Sequence, residues 1–142
     1  MQSHPLVSEK VNTKKRNEIV DVTDVVRRLV KTKNVCDGMA IVYIPHTTAA
    51  VTINENYDPD VKHDLLKKLE TLVPKEEMYY QHDEGNSDSH VKVAMVGSSA
   101  TVLIERGELV LGRWQGIYFC EFDGPREREL YVKLLDFKPQ QD

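Results

Sequence analysis

Hydrophobic residues recur along the chain at helical spacing in some segments and at the shorter spacing typical of strands in others. Helical spacing predicts a first helix that begins at Thr23, with Asn34 and Gly38 expected to interrupt it. A second helix is predicted over residues 59–73, because Asp58 can cap its first turn and Pro74 must end it. A third helix is predicted over residues 89–97.

Short apolar runs separated by turn residues predict strands at several places, most of them in the C-terminal half. The predicted strands cover residues 18–22, 39–44, 51–53, 101–104, 108–111, 115–122 and 130–137. Helices embedded among strands without a steady βαβ rhythm favour an α+β fold. We therefore expect one domain over residues 1–142, with a large mixed, mainly antiparallel sheet and packed helices.

Composition and charge limit which kinds of protein and of binding partner are expected. The 142 residues are 40% hydrophobic and 30% charged, as in ordinary globular domains, with a formal charge of −4 and a pI near 5.7. This acidic balance gives no reason to expect nucleic acid or anionic membrane as a partner. The N-terminus lacks the apolar core of a signal peptide, so we expect a cytoplasmic location without membrane attachment. Cys120 lies in an apolar run and is expected to be a buried thiol.

Imidazoles and carboxylates are concentrated in one part of the chain. Four of the five histidines fall between positions 46 and 90, interleaved with acidic residues. Such side chains are the ligand set of zinc and similar ions, but no compact spacing links them. The pattern leaves open a metal site assembled by the fold or several separate histidines. His63, on the polar face of the second helix, is expected to be solvated.

Two other segments combine polar chemistry with apolar strands. His46 and Thr47 follow the strand over 39–44 directly, where either a ligand contact or a satisfied turn histidine is expected. Glu121 and Asp123 follow an apolar run, so at least one of the two carboxylates must be paired, with Arg126 and Arg128 as the nearby candidates. A structural ion pair is favoured there over an anion site. No phosphate-binding glycine loop is present.

Several strings of residues together resemble the YjbQ family. They are PHTTAA (45–50), NEN (54–56), DPDV (58–61), HDEGN (82–86), HVK (90–92), GSS (97–99), GRWQGI (112–117) and EFDGPR (121–126). Two positions depart from the family pattern. Arg113 stands where a threonine is expected before the tryptophan, which adds a cation near the site, and Ile104-Glu105 replaces an isoleucine-proline-isoleucine type run.

The resemblance implies a homotrimer with a weak thiamine-phosphate synthase activity, acting on a small phosphorylated metabolite. It implies a divalent metal, Zn or Mg, held by His46, His82 and His90. The catalytic residues it indicates are His46, Glu55, Glu84 and Glu121. The ligand-binding residues it indicates are Thr47, Asn54, Asn86, Arg113, Trp114, Gln115, Asp123 and Arg126.

The implied reaction joins a pyrimidine methyl pyrophosphate to a thiazole phosphate and releases pyrophosphate. A divalent cation or arginines must neutralise the leaving group, and aromatic walls must shelter a developing carbocation. Arg113, Arg126 and Arg128 are candidates for the first role, and Trp114 and Tyr118 for the second. The alternative is a metal- or metabolite-binding protein whose catalysis is incidental.

Overall fold

The computed structural model describes residues 1–138, so the last four residues of the predicted domain, 139–142, lie outside the described residues. The elements in chain order are β1 (Gln2–Ser3), β2 (Val7–Asn12), β3 (Glu18–Asp21), α1 (Thr23–Thr32), β4 (Asp37–Tyr43), β5 (Ala49–Glu55), α2 (Pro59–Leu72), α3 (Ser87–Val96), β6 (Ser99–Glu105), β7 (Glu108–Leu109), β8 (Gln115–Glu121) and β9 (Glu127–Asp136). The predicted α+β class is confirmed.

The strands form two sheets, and every strand pair within residues 1–138 is antiparallel. The larger sheet has the order β1-β9-β4-β6-β7, with β2 also paired to β9. The smaller sheet has the order β3-β8-β5. The predicted antiparallel character is therefore confirmed, while the strands divide between two sheets because β8 pairs only with β3 and β5.

The smaller sheet lies between two apolar layers. On one face, Val51 and Phe119 belong to the main core, together with alternate residues of β4 and β9 such as Val42 and Val132. On the other face, Tyr118 and Cys120 belong to a second cluster that includes Val93 of α3. Because β8 is covered on both faces, six of its seven residues are buried, which explains its uninterrupted apolar sequence.

Helix α2 begins and ends as predicted but covers the small sheet loosely. Asp58 caps it by accepting a hydrogen bond from the Asp60 amide at 2.9 Å, and Pro59 occupies its first turn. None of its residues is fully buried, and Leu72 at its end is 55% exposed. The apolar residues of α2 therefore mark its packed face, although none of them is fully buried.

The structure differs from the predicted elements in two informative places. Strand β2 was not predicted, because polar residues occupy most of it; it forms as the partner of β9, from Val7 opposite Val132 to Asn12 opposite Glu127. Gly38 lies inside β4 and not in a helix-breaking turn. A Cβ on Gly38 would come within 1.9 Å of the Leu135 carbonyl oxygen, so the close approach of two strands explains this glycine.

No helix in residues 1–138 combines the length and apolar character needed to cross a membrane.

Candidate functional site

The predicted site residues fall at two opposite ends of the β5–β8 ladder. Ala49 pairs with Glu121 at one end, and Glu55 pairs with Gln115 at the other. Each strand has seven residues, so the two ends are about 20 Å apart. We call them the Glu121 end and the Gln115 end. The Glu121 end contains His46, Thr47, Asn86, Glu121, Asp123 and Arg126, and the Gln115 end contains Asn54, Glu55, Arg113, Trp114 and Gln115.

A buried ion pair holds the Glu121 end together. Arg128 Nε donates to Glu121 Oε1 at 2.8 Å, and Arg128 Nη2 donates to the other oxygen and to Thr48 Oγ1. The Thr13 hydroxyl and the Asp123 amide donate to the same carboxylate at 2.7 Å and 3.0 Å. The structural pair favoured from the sequence is therefore present, with Arg128 as the partner of Glu121. A catalytic role for Glu121 stays a prediction.

Hydrogen bonding keeps Glu121 ionised in spite of its burial. Burial alone would raise the pKa of the carboxyl, but the hydrogen bonds from Arg128, Asp123 and Thr13 outweigh it, and the pKa is lowered. The carboxylate thus joins the end of β8 to β9 and to the loop that follows His46.

His46 is half-buried and fixed by the main chain of β9. Its Nε2 accepts a hydrogen bond from the Glu129 amide at 2.9 Å, so the neutral ring carries its proton on Nδ1. Burial and the nearby Arg128 guanidinium lower the pKa of His46. The neighbouring Thr47 is exposed. His46 therefore offers an N–H donor from a neutral imidazole.

Asn86 and Arg126 converge on Asp123. Asn86 Nδ2 donates to Asp123 Oδ2 at 2.8 Å, and Arg126 Nη2 donates to the same oxygen at 3.0 Å. The Asn86 side-chain oxygen is buried and has no hydrogen-bond partner among the described residues. The Arg126 side chain is 49% exposed and points away from the core.

His82 and His90 pair with each other beside the Glu121 end. Their ring centroids are 5.3 Å apart, and Glu84 Oε2 lies 3.4 Å from His82 Nε2. Ser89, next to His90, donates to the Phe122 carbonyl at 2.6 Å, which attaches α3 to the end of β8. Within residues 1–138, no three or more His, Cys, Asp or Glu side chains are arranged to hold a metal ion.

The Gln115 end presents an exposed aromatic surface. The Arg113 guanidinium lies 4.7 Å from the centre of the Trp114 ring, and the Tyr57 ring centroid is also 4.7 Å from it. Trp114 is 43% exposed, so a flat ligand can stack there. Gln115 Oε1 accepts from the Gly112 amide at 2.7 Å, which closes the turn before β8.

Asn54 and Glu55, the other predicted residues of this end, are the last two residues of strand β5. Asn54 is exposed and accepts a hydrogen bond from the Glu55 amide at 2.7 Å. The Glu55 carbonyl accepts from the Tyr118 hydroxyl. Tyr118 is fully buried, so it supports the strand end from inside and does not share the open surface of Trp114.

Comparison with known proteins decides the family. The sequence profile described as "UPF0047 protein YjbQ-like" matches residues 8–136 of this chain. The chain belongs to the YjbQ family. A UPF0047 protein of Methanocaldococcus jannaschii is 50% identical over 133 residues, which cover 94% of this chain and 96% of that protein. The UPF0047 protein YugU of Bacillus subtilis is 48% identical over 126 residues, covering 89% and 96%.

Solved structures of YjbQ-family proteins have the same fold. A crystal structure of a YjbQ/UPF0047-family protein from Clostridium acetobutylicum is 48% identical, with a TM-score of 0.89 over 91% of this chain and 99% of that one. A YbjQ-like protein of unknown function from Sulfolobus solfataricus is 28% identical, with a TM-score of 0.90 over 95% of this chain and 98% of that one. The YjbQ fold is thus retained at low identity.

Several buried polar residues, at the site and near it, were not predicted from the sequence. Thr13 lies at the end of the unpredicted strand β2, and Thr48 was noted only as one hydroxyl of a loop motif. Asp88 and Lys92 form a buried ion pair on α3. The sequence gives one sign of this pair: Lys92 lies between Val91 and Val93 on a helix, which is unusual for a solvated lysine.

Proposed function

We propose that this YjbQ-family protein binds a small phosphorylated metabolite at the Glu121 end and catalyses thiamine-phosphate formation slowly in the cytoplasm. The observation that carries the proposal is the convergence of a neutral imidazole, His46, and an exposed guanidinium, Arg126, around a rigid buried ion pair. A rigid frame with a few converging polar groups is typical of a ligand site.

The groups at this end suit a reaction that releases pyrophosphate. Negative charge grows on the leaving group, and Arg126 can neutralise it through two N–H groups of one guanidinium. The Nδ1–H of His46 can donate to an anionic oxygen without adding a full positive charge. Nearly half of the Arg126 side chain is exposed, which is consistent with weak activity.

A trimer is part of the same proposal. The outer face of the larger sheet carries apolar side chains in register, with Met39 opposite Leu103 and Tyr43 opposite Tyr131. Tyr43 and Leu103 are 47% and 53% exposed, so this face favours association with another subunit.

A divalent metal, Zn or Mg, fits only some of the residues that the sequence indicated as its ligands. His82, His90 and Glu84 supply donors that suit such an ion, and it would stabilise anionic oxygens when bound. His46 Nε2 already accepts from the Glu129 amide, so in this arrangement that nitrogen is not free to hold a metal. The steps assigned above therefore depend on the protein's own side chains.

The test is a comparison of variants produced in a strain that lacks its own thiamine-phosphate synthase. Arg126→Ala should raise KM for the pyrophosphorylated pyrimidine and lower kcat, reducing kcat/KM about tenfold or more. Arg126→Lys should restore only part of kcat/KM, because a lysine ammonium lacks the planar guanidinium that can contact two oxygens at once. Arg27→Ala, which removes an exposed arginine of α1, is the control and should match the wild type.

The second candidate is a metal- or metabolite-binding protein with incidental catalysis. The exposure of Arg126 favours it, since a screened guanidinium holds charge in a transition state weakly. Equal turnover in the wild type, Arg126→Ala and His46→Ala would support this second function. Rescue of a thiamine auxotroph that is lost with His46→Ala would support the enzyme.

A further inference from the structure

A separate cavity of about 310 Å³ lies between the loop after β2, the C-terminal end of α2 and the first turns of α3. Its charged lining consists of Arg16, Glu70, Lys75, Asp88 and Lys92. These are three cations and two carboxylates, so one positive charge is left over. None of these residues belongs to the two ends of the β5–β8 ladder.

Lys92 makes this cavity unusual, because its side chain is only 2% exposed. Its Nζ donates to Asp88 Oδ2 at 3.1 Å and, over a longer 3.3 Å, to Asn17 Oδ1. The Phe122 ring centre lies 5.6 Å from the same nitrogen. A buried ammonium is costly unless its charge is balanced and its three N–H groups have acceptors.

The buried carboxylate of this cavity, Asp88, is shared between two cations. Arg16 donates to both oxygens of Asp88, through Nη1 and Nη2 at 3.0 Å each, and Lys92 donates to Oδ2 as well. Burial acts to raise the pKa of Asp88, but the hydrogen bonds from Arg16 and Lys92 lower it overall, so the group is ionised. Within the cavity lining, the Asp88 carboxylate therefore faces two buried or half-buried cations, and the charge of Asp123 outside the lining also acts on Arg16.

Lys75 adds a third cation at the exposed side of the cavity, where Glu70 is the only further carboxylate. We propose that this cavity binds a phosphate group, either as free phosphate or as the phosphate of a monoester. A tetrahedral dianion can accept from Arg16, Lys75 and Lys92 in different directions and supplies the negative charge that Asp88 alone does not. The volume leaves room for a small organic group beyond the phosphate.

This phosphate site is independent of the synthase proposal. Arg16 donates to the Gly85 carbonyl at 3.4 Å and its own carbonyl accepts from the Gly124 amide at 3.1 Å, so the cavity adjoins the loop of Asp123, but neither Asn86 nor Asp123 lines it. Binding can be measured without turnover, and either proposal can fail while the other stands.

The experiment titrates the wild-type protein with inorganic phosphate and, separately, with glycerol 3-phosphate, followed by amide NMR at constant ionic strength. We expect saturable shifts at Asn17, Lys75 and Lys92, and tighter binding of the monoester if the organic group also contacts the cavity. Lys75→Ala should raise the dissociation constant about 3- to 5-fold, since it removes one partly exposed charge. Lys67→Ala, which removes an exposed lysine of α2 outside the cavity lining, is the control and should bind as the wild type does.

Arg16→Lys gives a second, charge-conserving variant. This change keeps the positive charge but removes the planar guanidinium that can contact two oxygens at once. Phosphate should therefore bind more weakly to Arg16→Lys than to the wild type, whereas its affinity for Lys67→Ala should be unchanged. Absence of saturable shifts with both anions would overturn the site. Equal dissociation constants for the wild type, Lys75→Ala and Lys67→Ala would also overturn it, because the anion would then bind elsewhere.

Discussion

Arg128 and Glu121 form an ion pair inside the protein, with side-chain exposures of 3% and 0%. The two residues belong to neighbouring strands in the chain but to different sheets, β9 in the larger and β8 in the smaller. The pair therefore connects the two sheets at the place where His46 and Asp123 are positioned.

Loss of Arg128 should destabilise the protein strongly. Arg128→Leu leaves the buried carboxylate of Glu121 without its main partner, so we expect the free energy of unfolding to fall by about 3–5 kcal/mol. Urea unfolding measures this change. Arg126→Ala is the control, because its pair with Asp123 is partly exposed and should be worth about 1 kcal/mol or less. Similar losses in both variants would contradict the structural role of the buried pair.

His46 should make stability depend on pH in the acidic range. Its folded pKa is lowered, so the unfolded chain takes up a proton first as the pH falls below the usual value of about 6.5. The contribution of neutral His46 is thus complete above that pH and is lost as the pH falls towards the folded pKa.

NMR titration of the imidazole and unfolding at several pH values measure this effect. The stability difference between the wild type and His46→Gln should decrease as the pH falls, because glutamine does not titrate. A His46 pKa at or above the usual histidine value would contradict the expected burial effect.

Gly38→Ala should destabilise the larger sheet. The new Cβ would lie 1.9 Å from the Leu135 carbonyl oxygen, so the backbone of β4 or β9 must move, at a cost of about 1–3 kcal/mol. Gly112→Ala is the control, since its nearest neighbour is the flexible end of Gln115 at 3.2 Å, and the change should stay within about 0.5 kcal/mol. Thermal or urea unfolding of the two variants should show this contrast.

Metal binding, where it occurs, should require the imidazoles of His82 and His90. Neutral imidazole is the ligand, so affinity for Zn should weaken as the pH falls through the histidine range near 6.5. Metal analysis of protein purified without chelator or affinity resin measures the content. Stoichiometric metal in the variant with His46, His82 and His90 all changed to alanine would remove the histidine assignment.

The outer face of the larger sheet should determine the oligomeric state. Sedimentation at micromolar concentration should show a trimer for the wild type and a smaller species for Leu103→Lys, because a charge on that face opposes its burial. Leu72→Lys, on an equally exposed leucine of α2, should leave the oligomer unchanged. A stable wild-type monomer would exclude the trimer.

The sequence by itself predicted the α+β class, the cap and end of α2, and the buried thiol of Cys120. These features depend on neighbouring residues, namely the capping Asp58, the terminating Pro74 and an apolar run. Burial raises the pKa of Cys120 to about 12, in agreement with an unreactive thiol. The exposed His63 also confirmed the expectation of a solvated histidine.

The tertiary structure alone decided which site residues meet. The hydrophobic period of the sequence cannot show that β8 pairs with β5 along its whole length, and the whole of β8 separates Glu121 from Trp114. Long-range partners such as Thr13 with Glu121 and Arg16 with Asp88 lie 108 and 72 residues apart in the chain. Local residue patterns carry the information for capping and amphipathic faces, whereas the balance of buried charge depends on contacts that only the folded chain brings together.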